Sequence, residues 1–285
     1  MIPVVLFAYA RPSHLRRTLD CLRENAVPKI IAFSDAPKTP AHQEGVLEVR
    51  RMLRAIDWTE VELTERRENL GLGVSIRTGV EEALRRHEAV IVFEDDLACT
   101  PGAYAWMCAA LEAYRDEPKA MSVTGWTHPR VTPAGVAAPY FDGRAECWTW
   151  GTWRRSWQGM DRSAAELVAE CDGKGIDPYR YGADLMRQAA AERRLNIWAV
   201  RWLYHHLVQG GLCLRPPRSM VDHFGLGAQA TNAGGAQMWS VQPSAPPAAE
   251  WPPAVENPEC ARLWHDTQGG AGPLRRAWHR LKLRQ

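Results

Sequence analysis

No apolar run in this chain approaches the ~20 residues needed to cross a bilayer. The N-terminal "MIPVVLFAYARPSHLRR" has too short an apolar stretch for a secretory signal, and its basic residues follow that stretch instead of preceding it. A cytoplasmic protein is therefore expected. Charge of one sign is also scarce. The 35 Lys and Arg against 33 Asp and Glu leave a formal +2, which gives no case for a global field toward nucleic acid or membrane. The seven cysteines (Cys21, Cys99, Cys108, Cys147, Cys171, Cys213, Cys260) are odd in number, scattered and never spaced CxxC. They read as reduced, mostly small core fillers, and no zinc site is implied. No internal repeat is visible.

What is present is an ordinary globular composition, 46% hydrophobic and 24% charged, at a length that fits one large α/β domain or two small ones. "PVVLFAY" and "KIIAFSDAP" are short apolar runs that end in polar or proline-bearing turns, as strands do. "PSHLRRTLDCLREN" between them has Leu15, Leu19 and Leu22 at helical spacing, with Ser13 expected as N-cap. A helix around "EGVLEVRRMLRAI", a strand at "VELTER" and a Gly-bearing loop entering a helix at "NLGLGVSIRTGVEEALRRHE" follow. This alternation predicts an α/β fold with a mostly parallel sheet covered on both faces. Right-handed crossovers bring the C-terminal ends of such strands to one edge, where α/β sheets bind ligands. Beyond a strand at "MSVTGW" come a tryptophan cluster, "CWTWGTWRRSW", and a helical region over 163–194. The division expected is residues 1–242 as one domain, with 1–125 and 126–242 as its halves. Residues 243–285 are expected as a Pro-rich surface arm and a basic tail.

The segment "VIVFEDDL" poses the functional question, because Glu94, Asp95 and Asp96 follow a β-branched and aromatic run with no turn residue between. Adjacent carboxylates at the end of a buried strand repel unless a cation, a donor or water compensates. Capping is the plainest use for such an acid, but Thr100 followed by Pro101 is expected to supply the next helix start. The triplet is thus left for chemistry. Mg²⁺ and Mn²⁺ prefer carboxylate oxygens, keep positions open for phosphate, and would neutralise a diphosphate leaving group.

"PVVLFAYARPSHLRRTLDCL", "NLGLGVSIRTGVEEAL", "VIVFEDDL", "CWTWGTWRRSW" and "WAVRWLYHHLVQGGLCLRPPRSMVDHFGLGAQATN" together resemble the GT-A glycosyltransferases. The nearest branch is bacterial and similar to the eukaryotic N-acetylglucosaminyltransferases that initiate complex N-glycan branches. The resemblance covers roughly residues 3–232 and implies a Rossmann-like GT-A fold with a C-terminal acceptor-side region. It implies a nucleotide-diphospho-sugar donor, UDP-linked, an acceptor that is a glycan or lipid-linked glycan, and Mn²⁺ or Mg²⁺ as cofactor. Nucleic acid is not an implied partner. Asp96 takes the metal-binding position, and Glu94 and Asp95 hold ribose and donor-sugar hydroxyls. Tyr9 and Arg11 stand in the nucleotide-holding turn. Asp35 matches the acid that accepts the uracil N3 proton, although an Asx-turn before Pro37 explains it equally well. Arg77 resembles the basic residue that closes over base or phosphates.

Strand alternation would point Trp148 and Trp150 to one side of an extended segment, and the resemblance implies that they and Gly151 lie where acceptor and donor sugar meet. Trp153 and Trp157 suit one helix face, and so do Trp198 and Trp202 under that pocket. His205 and His206 read as ordinary helix residues. His223 in "VDHFG" is a candidate metal ligand or phosphate donor.

The resemblance also implies inversion, with a carboxylate deprotonating the acceptor. Relatives place that acid just after the first tryptophan of "WAVRW", where this chain has Ala199, Val200 and Arg201. Asp222 is the first replacement and Glu146 the second. Glu146 has an alternative use as an arginine's partner, and Asp142 is explained by the turn "FDGR". Two other classes stay open. One is a nucleotidylyltransferase, whose Gly-rich, Lys-ended triphosphate loop "FAYARPSH" lacks. The other is a binding module without turnover. The basic end "PLRRAWHRLKLRQ" reads as a solvated terminus, with peripheral contact to an anionic membrane as the alternative.

Overall fold

The computed structural model describes residues 1–225 and 241–283. The "LGAQATN" part of the resemblance and the last two tail residues lie outside them. The element order is β1 (Val4–Ala8), α1 (Pro12–Glu24), β2 (Lys29–Ser34), α2 (Gln43–Arg54), β3 (Glu60–Glu65), α3 (Leu72–Arg86) and β4 (Ala89–Glu94). Then come β5 (Leu97–Cys99), α4 (Ala103–Ala113), β6 (Ala120–Thr124), β7 (Tyr140–Asp142), β8 (Trp150–Trp153) and α5 (Arg154–Trp157). The rest are α6 (Ala164–Gly173), α7 (Asp184–Leu195), α8 (Ala199–Gln209), β9 (Leu212–Arg215), β10 (Val221–His223), α9 (Cys260–Gln268) and α10 (Pro273–Leu283).

The strands form a mixed, mostly parallel eight-stranded sheet in the order β3-β2-β1-β4-β8-β6-β9-β7, and β10 pairs with β5 in a separate ribbon. β3, β2, β1 and β4 are mutually parallel, whereas β8 runs against both its neighbours and β7 against β9. β1 and β4 are buried over nearly their whole length, because helices cover both faces. Val5, Phe7, Val90 and Val92 face a core shared with α3 and α6–α8. Val4, Leu6, Ile91 and Phe93 face the core under α1, α2 and α4. The period-two alternation of the sequence is thus realised on each strand.

Several local expectations change. α1 begins at Pro12 with Arg11 in the cap position and no side-chain cap, because proline at the first helical position sets the start one residue ahead of Ser13. α4 begins only at Ala103, after left-handed Gly102, and the Thr100 hydroxyl bonds the Ser244 carbonyl at 3.0 Å instead of capping. The helical region over 163–194 is two helices, α6 and α7.

The stretch from 241 to 258 has no regular element, yet it is not a free arm. Trp251 packs on Trp106 at 5.5 Å, Tyr114 donates to the Pro252 carbonyl, and Glu256 bridges Phe141. α9 then buries Trp264 to 1% exposure, with its indole N–H on Asp142 at 2.7 Å. Proline suits this strap because it needs few backbone donors while its rings and Trp251 fill grooves. Among the described residues no helix is long and apolar enough to cross a membrane.

Candidate active site

β1 lies between β2 and β4, so the chain steps one way from β1 to β3 and then returns to the other side of β1. At such a switch point the strand ends diverge and leave a crevice. Here it is a cavity of about 530 Å³, lined by Tyr9 and Arg11 after β1, Asp35 after β2, and Glu94 and Asp95 at the end of β4. Five of the expected site residues therefore meet at one edge.

The acidic triplet is held from several directions. Asp95 accepts the Tyr9 backbone N–H at 3.0 Å and the Arg11 guanidinium. Arg11 also reaches Asp96 Oδ2 at 2.8 Å. Thr18 of α1 donates its hydroxyl toward the Asp95 and Leu97 carbonyls, at 3.0 and 2.9 Å. Half-buried Glu94 faces the cavity and makes no hydrogen bond among the described residues. Burial pushes its carboxyl well above the usual range, with Asp96 and Asp95 adding to the effect. Burial also raises Asp95, against the pull of Arg11. Burial works to raise Asp96 as well, but the nearby His223 imidazole and Arg11 outweigh it, and this carboxyl lies below its ordinary value. The Arg11 guanidinium loses some basicity to burial and gains more from Asp95 and Asp96.

The β5–β10 ribbon closes over Asp96. His223 pairs with Leu97 in register, its Nε2 lies 3.6 Å from Asp96 Oδ2, and its ring stacks on Trp148 at 4.3 Å. Phe224 donates its N–H to the Asp96 carbonyl at 3.1 Å. A Cβ on Gly225 would collide with the Asp96 carboxylate, so only glycine admits this approach. Asp96 Oδ1 and His223 Nδ1 are buried without a hydrogen-bond partner. Three carboxylates facing one guanidinium, with an orphaned carboxylate oxygen and an orphaned imidazole nitrogen, fit a hard divalent cation. Among the described residues no group of three or more His, Cys, Asp or Glu side chains is placed to hold a metal ion by itself.

Asp35 lines the cavity, but the Asx-turn is not what it makes. Its oxygens take the Leu70 N–H at 3.0 Å, the Ser75 hydroxyl at 3.2 Å and Arg66 at 3.3 Å. It ties the end of β2 to the loop that starts α3. Tyr9 accepts the Lys38 N–H on its phenol oxygen at 2.7 Å and contacts the His42 ring.

Other expected residues do not reach the cavity. Arg77 lies on another face of α3, where burial lowers its pKa and Arg201 adds to the effect. Trp148 and Trp150 do not point the same way. Thr149 has a left-handed φ of 44°, which breaks the alternation between them. Trp148 turns toward His223 and Trp126, while Trp150 is 1% exposed and packs against Trp157, Trp198 and Trp202. Gly151 is a packing glycine: a Cβ there would stand 2.8 Å from Leu111 and 3.2 Å from the Val90 carbonyl. Trp153 and Trp157 fall in opposite cores, because Trp153 ends β8 before the helix begins.

Asp222 alternates away from His223 and pairs with Arg17 on α1, outside the cavity. Glu146 is buried, takes its neighbour Cys147 N–H at 2.9 Å and lies 3.4 Å from Arg215. Burial raises the Cys147 thiol strongly, with the charges of Glu146 and Glu94 adding to the effect. Asp142 does accept the Arg144 N–H within its turn, but it also receives Arg215 at 2.8 Å and Trp264. His205 and His206 are buried in α8. His206 bonds Ser122 at 2.9 Å and the Trp202 carbonyl at 3.1 Å.

Lys38, His42, Asn69, Leu72, Leu195 and Asn196 also line the cavity and were not foreseen. "NLGLG" marked one of these loops. Nothing local marks Leu195 and Asn196, which arrive from α7 by long-range packing.

No protein-family model matches the chain, and no curated protein matches it significantly. Solved structures overlap it weakly. The mannosyltransferase PcManGT from Pyrobaculum calidifontis, in complex with GDP-Man and Mn²⁺, is 18% identical with a TM-score of 0.39 over 68% of this chain. HddC from Yersinia pseudotuberculosis is 17% identical with a TM-score of 0.30 over 44% of this chain. A Bacillus anthracis protein assigned as a glucose-1-phosphate thymidylyltransferase, in complex with sucrose, is 7% identical with a TM-score of 0.34 over 57% of this chain. The chain spans 51%, 57% and 75% of those three proteins respectively. Overlaps of this size carry nothing about activity, donor or metal here.

Proposed function

We propose that the chain is an inverting glycosyltransferase that moves a sugar from a nucleotide-diphospho-sugar, UDP-linked, to a hydroxyl of a glycan or lipid-linked glycan. The carrying observation is that Glu94 and Asp95, at the end of β4, line a cavity with Tyr9, Arg11 and Asp35, while Asp96 is tied to the same Arg11. The placement in the GT-A family rests on the sequence resemblance. On this reading the cavity takes the nucleoside, with Asp35 toward the base and Tyr9 beside it. Glu94 and Asp95 face ribose and donor-sugar hydroxyls. Asp96, with His223 behind it, would hold Mn²⁺ or Mg²⁺, which when bound supplies Lewis-acid neutralisation of the diphosphate leaving group.

Transfer with inversion needs a carboxylate that takes the acceptor proton as the hydroxyl attacks the anomeric carbon opposite the departing diphosphate. Of the two candidates, Glu146 is favoured over Asp222. Glu146 stands 3.4 Å from Arg215, at the long end of a hydrogen bond, whereas Asp222 is committed to Arg17 on the far side of its strand.

The test is incubation with a panel of nucleotide sugars and Mn²⁺, assaying free nucleoside diphosphate. Slow donor hydrolysis is expected. Pyrophosphate-dependent formation of nucleoside triphosphate would instead identify a nucleotidylyltransferase, and tight donor binding without turnover a binding module.

A further inference from the structure

We propose that the face formed by α7 and α10 is a docking surface for an anionic phospholipid leaflet. α10 has two unlike sides. One is fastened to the domain: His279 stacks on Tyr179, Arg276 pairs with Asp177 at 2.9 Å, and Arg280 pairs with Asp172 at 2.7 Å. The other side carries Leu274, Trp278 and Leu281, exposed by 89%, 54% and 57%. Their spacing of four and then three places them in one stripe along the helix. A helix that served only to cover the core would have no reason to leave this stripe in water.

The stripe continues into a groove of about 550 Å³ between α10 and α7. It is lined by the apolar Ala165, Ala190, Trp278 and Leu283 and by Arg187, Arg194 and Lys282, and its one acid, Glu192, is paired with Arg201. Arg187, Arg194 and the adjacent Arg275 are exposed and make no ion pair among the described residues. Burial lowers the His279 imidazole, and Arg275 and Arg187 press it further, which reflects the excess positive charge here. An apolar lining beside unneutralised guanidinium groups complements phosphate headgroups with acyl chains below them. Trp278 at the junction suits the headgroup level. An eleven-residue helix is roughly 16 Å long and cannot span a bilayer, so this surface lies on the leaflet. α7 ends in Leu195 and Asn196, which line the candidate active-site cavity, so the leaflet would lie beside its mouth. This inference does not depend on the transferase reading.

The test is co-sedimentation of the full chain with phosphatidylcholine vesicles and with vesicles containing phosphatidylglycerol. Salt-sensitive binding to the anionic vesicles alone is expected. Leu274→Ser, Trp278→Ser and Leu281→Ser combined should weaken it at least about tenfold, and Arg187→Gln and Arg194→Gln about fivefold each. The arginine variants change exposed side chains only, so they remain informative if the stripe variant misfolds. Absence of binding, or equal binding to both vesicle types, overturns the proposal. So does self-association by sedimentation equilibrium that Trp278→Ser abolishes while vesicles bind nothing, which would make the face an interface between copies.

Discussion

Arg11 Nη2 lies 2.8 Å from Asp96 Oδ2 while the same guanidinium holds Asp95, so one arginine neutralises part of a carboxylate cluster it cannot balance alone. Arg11→Ala should lower stability by about 3–5 kcal/mol, the effect of stripping a partner from buried charge. Added Mn²⁺ should raise the melting temperature of this variant more than that of wild type. In Asp96→Asn the metal-dependent part of nucleoside diphosphate affinity should vanish while the fold persists. Calorimetry with and without Mn²⁺ checks this, and unchanged metal-dependent affinity would remove Asp96 from the metal site.

Asp35 offers a separable pair of effects. Asp35→Ala should weaken UDP by roughly 1.5–3 kcal/mol, the range of a charge-assisted hydrogen bond, without an equal loss for a purine nucleotide. It should also lower stability by about 1–3 kcal/mol, because the Leu70 N–H, Ser75 and Arg66 lose their acceptor. Equal weakening for both nucleotides would reduce Asp35 to its structural part.

The two base candidates separate in steady-state kinetics with a verified acceptor. Glu146→Gln should cut kcat by roughly 10²–10⁴ with donor binding intact, and Asp222→Asn should change kcat little. If both variants transfer normally, neither is the base. Wild type without any transfer would point to Ala199, where the resemblance leads one to expect an acid.

Burial holds His206 neutral, lowered to about 3, and His128 to about 4. In the unfolded chain both protonate near 6.5, so below that pH the unfolded state binds more protons. Stability should be flat above about pH 6.5 and fall by roughly 1.4 kcal/mol per pH unit for each histidine as pH drops toward its folded value. Chemical denaturation between pH 6.5 and 4.5 measures that slope. His206→Gln should reduce it by the contribution of one proton, and an unchanged slope would show that His206 is already charged in the fold.

Much of the parallel half of the sheet was legible because its signals are local. Val4–Ala8, Lys29–Ser34 and Ala89–Glu94 are apolar runs that end in polar residues, and a parallel sheet sets those ends side by side. Tyr9, Arg11, Asp35, Glu94 and Asp95 therefore meet without any further information. Trp148 and Trp150 were misread because alternation assumes an unbroken strand, and the left-handed Thr149 between them is decided by packing on both sides. Arg77 sits on α3, whose rotation about its axis is set by packing on β1, β2, β4 and α5.

The sequence alone thus determined the parallel half of the sheet and the acids at its edge, since hydrophobic period and strand ends are properties of short segments. Only the tertiary structure decided which acids keep free oxygens. Arg215 draws in Asp142 and Glu146, Arg17 takes Asp222, and His223 with Gly225 closes on Asp96. Each of these contacts joins segments far apart in the chain. Pairing of that kind is set by burial and charge balance in the assembled fold, which no local pattern records.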